Sequence, residues 1–130
     1  MGKKVMTIKT TGEVETTELD EVGYDFLNAA CGGWIQHIAF RDGLAMYCNE
    51  EGKINRLPYN HKATSIWREY FGDTDLISGD VVVVGDLDDE GYDTGLTTDQ
   101  IERATRIIET AGEPTPDDLA LYQRVLAAFI

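Results

Sequence analysis

Apolar and polar positions alternate along the start of the chain. Val5, Thr7 and Lys9 alternate with Met6, Ile8 and Thr10, Thr11-Gly12-Glu13 supplies a turn, and residues 14–19 alternate again, so 4–19 reads as a β-hairpin. The period then lengthens. Val22, Phe26, Leu27 and Ala30 share one face of a helix predicted over 21–31, with Asp20 as its N-cap and Gly32-Gly33 as its stop. Residues 34–40 and 44–48 form two strands joined through the Asp42-Gly43 turn signal. Asn60 caps a helix over 61–71 whose Ile66, Trp67 and Tyr70 face the core. Val81 to Val84 is an unbroken apolar run, the pattern of a strand covered on both faces.

The C-terminal third is helical in pattern. Thr97 and Gln100 make a capping box, and Ile101, Ala104, Ile108 and Ala111 form the stripe behind it, which ends at Gly112. Thr115-Pro116-Asp117-Asp118 starts another helix, with Leu119, Tyr122, Leu126 and Phe129 on one face. That face packs on the domain's own sheet or supports a homo-oligomer. The order ββ-α-ββ-α-β-α-α implies one α+β domain over 1–130, a mainly antiparallel sheet with helices packed on it. A chain of 130 residues suits a single core.

Charge changes the picture, because it is uneven. The formal net charge is −13, from 11 Lys and Arg against 24 Asp and Glu. Residues 73–118 hold fourteen of those acids and two arginines, whereas residues 26–72 are close to neutral at +1. The total argues against direct nucleic-acid binding, which needs cations to neutralise phosphates, and against an anionic membrane surface. No apolar stretch approaches the ~20 residues of a membrane span, and the N-terminus lacks a signal peptide's apolar core. The expected location is therefore cytoplasmic.

Candidate chemistry is sparse. The chain has no G-x-S-x-G, no phosphate-binding loop and no G-x-G-x-x-G, so no catalytic residue is assigned and no cofactor is implied. His37 and His61 have no partner at metal-ligand spacing, and Cys31 and Cys48 lack C-x-x-C spacing. Trp34, Tyr59, Trp67 and Tyr70 read as packing residues, with pocket lining as the other reading. In the acidic loop, Asp86, Asp88 and Glu90 fit the first, third and fifth positions of a calcium-binding EF-hand. Thr97 then stands where the bidentate Glu belongs, so no metal site is assigned. Asp86, Asp88, Asp89, Glu90 and Asp93 are instead a candidate partner-binding surface. The densest mixed cluster is Asn49, Glu50, Glu51, Lys53, Arg56, Asn60, Lys62 and Thr64, which runs into a predicted helix N-terminus. Free amides there suit an anion, so this cluster is the candidate site for a small anionic ligand or a partner.

Several runs together carry a resemblance. They are Gly32-Gly33-Trp34-Ile35, Asp42-Gly43-Leu44, Asn49-Glu50-Glu51-Gly52-Lys53, Leu57-Pro58-Tyr59-Asn60, Ala63-Thr64 and Gly79-Asp80-Val81-Val82-Val83-Val84-Gly85. In these, and in the Thr-Gly-Glu turn, the chain resembles a domain-of-unknown-function family of small proteins encoded by phages and other mobile elements of bacteria. The resemblance covers about 4–100, and the helix over 116–130 looks like an extension. It implies a setting, the cytoplasm of an infected bacterial host, and no reaction. Within that setting the first expectation is a non-enzymatic accessory protein that binds and inhibits a host factor, as a counter-defence. The alternative is a protein that binds and sequesters a nucleotide signal. A hydrolase of such a ligand, with Glu50 or Glu51 as base, ranks below both.

Overall fold

A computed structural model describes residues 2–129. The elements are β1 (Lys3–Ile8), β2 (Val14–Leu19), α1 (Tyr24–Cys31), β3 (Ile35–Ala39), β4 (Leu44–Asn49), α2 (His61–Phe71), β5 (Val81–Gly85), α3 (Thr98–Ala111) and α4 (Pro116–Ala127). The five strands form one antiparallel sheet in the order β2-β1-β5-β4-β3. This is the α+β domain, in the order, that the pattern predicts.

The sheet explains the valine run. Central β5 is buried on both faces, and its side chains alternate between two cores. Val82 and Val84 join Val5, Ala45 and Tyr47 under α1, which contributes Leu27 and Cys31. Val81 and Val83 join Met6, Ile8, Leu44 and Met46 under α2 and α3, which contribute Ile66, Tyr70, Ala104 and Ile108. A fully buried Val contributes about 1.5–3 kcal/mol, so the four valines tie both helical layers to one strand.

Local signals hold where they are purely local. Asn60 caps α2 by accepting from Ala63 N, and both the Thr97 and Thr115 capping boxes are formed. Asp42 and Gly43 both take positive φ, 65° and 76°, in the β3–β4 connection.

Two expectations are corrected. Helix α1 starts at Tyr24, with Gly23 as an N-cap lacking any side-chain bond, and not at 21 behind Asp20. Leu19 still pairs with Lys3 on the edge strand β2, and the chain must cross the sheet to reach the face under β5 and β4, so residues 20–23 serve as a connector. Trp34 is 66% exposed and does not pack in the core. It precedes the edge strand β3, where Ile35 takes the inward position. Helix α4 buries no residue, and Leu119 and Phe129 remain exposed. It is held by the Asp118–Arg68 pair, by the Tyr122 hydroxyl donating to Leu57 O at 2.5 Å, and by the Tyr122 ring at 5.5 Å from that of Tyr59.

Candidate functional site

The mixed polar cluster does not converge. Asn60 is 1% exposed and fully engaged: Nδ2 donates to Ile8 O at 3.0 Å and Gly79 O at 2.9 Å, and Oδ1 accepts from Ala63 N at 3.0 Å. Buried Thr64 donates to Asn60 O and accepts from Ile77 N. Asn49, at the end of β4, donates to Cys31 O and accepts from Glu51 N. These three side chains tie strands, turn and helix together, and their bonds leave little to offer a ligand.

The charged members lie apart. Asn49, Glu50 and Lys53 line a cleft of about 200 Å³ with Ser78 and Phe129, and Lys53 is paired with Asp75 at 2.5 Å. Asn60 and Lys62 line a different cleft, of about 380 Å³, between the β1–β2 turn and the start of α4. There Lys62 donates to Gly12 O. Glu51, Arg56 and Thr64 line neither. The β4 exit and the α2 start are neighbours in sequence, but the turns over 50–56 and the Tyr59–Ser78 bridge separate them.

The acidic loop is ordered by its own side chains. Asp88 Oδ1 accepts from Glu90 N and Tyr92 N, Asp86 Oδ1 accepts from Leu87 N, and Gly91 turns the chain at φ 86°. Leu87 and Asp93 form a bridge across its base, where the Tyr47 hydroxyl donates to Asp93 Oδ1 at 2.6 Å. Burial is the main cause that pushes the Tyr47 phenol well above its usual range, followed by the Asp93 carboxylate, so it stays a donor at neutral pH. Asp88, Asp89 and Glu90 are exposed, and two large apolar side chains stand among them, Leu87 at 42% and Tyr92 at 62% exposure.

Among the described residues no group of three His, Cys, Asp or Glu side chains gathers as a metal-holding set. Both cysteines are buried. Burial pushes the Cys31 thiol up to about 12 and the Cys48 thiol up to about 11, so neither is a thiolate nucleophile at neutral pH. Among the described residues no helix is long and apolar enough to cross a membrane.

One network joins α4 to α2. Asp118 accepts from Arg68 at 3.0 Å and from Thr115 N at 2.8 Å, and lies 3.9 Å from His61 Nδ1. Burial acts to raise the Asp118 carboxyl, but the Thr115 and Arg68 bonds outweigh it and hold the group below its ordinary 3.8. A carboxylate lowered in the folded state stabilises above its unfolded pKa and loses that contribution as pH falls through the folded one. Acidification below about pH 4 should therefore weaken α4's hold. The check is amide exchange: α4 amides should lose protection on acidification in the native chain, and Asp118→Asn should flatten that pH response. An unchanged response in the variant would assign it to other carboxylates.

No sequence pattern marks the α2–α3 groove. Arg41, Tyr70, Arg103 and Arg106 line one cleft there, yet they come from three elements and no motif links them. The one local signal was the pair Arg103 and Arg106, the two cations in the most acidic segment, one helical turn apart.

Comparison with known proteins matches residues 3–109 to the model of a family described as a domain of unknown function, DUF3846. No curated protein and no solved structure matches the chain.

Proposed function

The chain belongs to the DUF3846 family, whose description names no activity, and we propose from its surface that it is a non-enzymatic binding protein that docks its 86–93 loop on a basic site of a partner protein. The observation that carries this reading is the loop's composition together with its order. Exposed carboxylates flank exposed Leu87 and Tyr92 on a backbone fixed by Asp86, Asp88 and the Tyr47–Asp93 bond. A fixed loop loses little entropy on binding. The carboxylates favour encounter with a cationic surface, and a solvent-exposed tyrosine is a common anchor once docked. In the setting that the resemblance implies, the partner is a host factor in the cytoplasm of an infected bacterium, and occupation of its basic site inhibits it as a counter-defence.

The test uses the full chain, immobilised, with host lysate at low salt, beside a variant carrying Asp89→Lys, Glu90→Lys and Tyr92→Ala. These positions leave the Asp88 turn intact. A basic protein held by the native chain, released by high salt and not held by the variant is the expected result. The tyrosine alone should account for about 2 kcal/mol of affinity. No protein held differently by the two chains would sink the proposal.

A further inference from the structure

A cleft of about 330 Å³ opens between α2, α3 and the β3–β4 turn, and Arg41, Arg103 and Arg106 all line it, with Tyr70. The chain carries more than twice as many acids as bases, so a surface arginine should readily find a carboxylate. Among the described residues none of these three forms an ion pair. Arg41 donates to Tyr70 O at 3.0 Å, Arg103 reaches Asp42 O at 3.4 Å, and Arg106 makes no side-chain hydrogen bond among the described residues. Asp42 and Glu69 also line the cleft without pairing with them.

Tyr70 is a fixed part of the cleft wall. Tyr70 is 9% exposed, and its buried hydroxyl has no hydrogen-bond partner. Its ring stacks on Phe40 at 5.1 Å, which fixes it in the wall. The hydroxyl is closed off from the cleft, so a ligand there meets the three guanidinium groups and not the phenol.

We propose that this cleft is a binding site for a phosphate-bearing small molecule, held by Arg41, Arg103 and Arg106. Guanidinium forks match tetrahedral oxyanions and keep their charge at every relevant pH. The adjoining groove of about 580 Å³, which shares Glu69, Arg106 and Ile107, gives the rest of such a molecule room. The net charge favours a small anion over a nucleic acid. Screening confines each charge to about 8–10 Å, so a small ligand meets the local arginines, whereas a polymer would also run along acidic surface.

The site is distinct from the 86–93 loop, so the two proposals fail separately. The experiment is calorimetric titration of the full chain with inorganic pyrophosphate and with ADP, at matched ionic strength. One saturable site for at least one of them is expected. Arg103→Ala with Arg106→Ala should weaken it about tenfold or more, while Arg124→Ala leaves it unchanged. Circular dichroism of each variant checks that it folds, and Arg103→Gln serves in place of a double variant that does not. Absence of saturable binding by both probes, equal loss in the Arg124 variant, or preference for a single-stranded oligonucleotide would overturn the proposal.

Discussion

Asn60→Ala should be among the most destabilising single changes in this chain, at about 3 kcal/mol and a fall in Tm of roughly 10 °C. The side chain is 1% exposed and makes three hydrogen bonds. Loss of an N-cap alone costs about 1 kcal/mol. The remainder comes from Ile8 O and Gly79 O, which lose a buried donor that water cannot easily replace. Asn60→Asp separates the two roles. Aspartate caps a helix as well as asparagine does, but it has no N–H and would set a carboxylate against both carbonyl oxygens. It should therefore destabilise at least as much as alanine. Denaturant unfolding of both variants decides: a near-native Asp variant would mean that the cap carries the effect and the two donated bonds do not.

Asn60 also marks where sequence reading succeeds and where it stops. Its capping role was legible because a cap acts over three residues. Its donation to Ile8 was not, because that contact spans 52 positions and exists only once β1 lies beside β5. The same distinction runs through the molecule. The Val81–Val84 run disclosed a doubly covered strand, since burial on both faces removes alternation. It did not disclose that β5 sits between β1 and β4, the order that assigns each valine to a core. The mixed polar cluster looked like a site because its members are close in sequence, yet the structure spends Asn49, Asn60 and Thr64 on internal bonds and parts Lys53 from Lys62. Arg41 and Arg106 meet across one cleft because α3 lies along α2, a juxtaposition that periodicity does not encode.

Gly85→Ala should be the most damaging change to the acidic loop, although it touches none of its carboxylates. Gly85 ends β5 opposite Leu44, and its N–H donates to Thr94 O where the loop closes. A Cβ there would collide with Thr94 Oγ1 and stand 2.8 Å from Gly95 O and 3.0 Å from Thr94 O. The hydroxyl could rotate only by giving up its bond to Asp86 O, and the two carbonyl oxygens are backbone and cannot swing aside. Relief must come from moving the 94–95 segment, at a cost of about 2–3 kcal/mol. That segment is the return limb of the loop, so the displacement also shifts Asp93 away from the Tyr47 hydroxyl. Gly91→Ala is the matched comparison. Gly91 turns the loop at φ 86° with open space around it, so alanine there meets backbone strain of about 1–2 kcal/mol and no collision. Amide chemical shifts over 86–94 should move widely in the Gly85 variant and only near residue 91 in the other. If the loop docks on a basic partner, the Gly85 variant should lose that docking with every carboxylate intact. A Gly85 variant that keeps both its stability and its docking would mean that the loop's base carries neither.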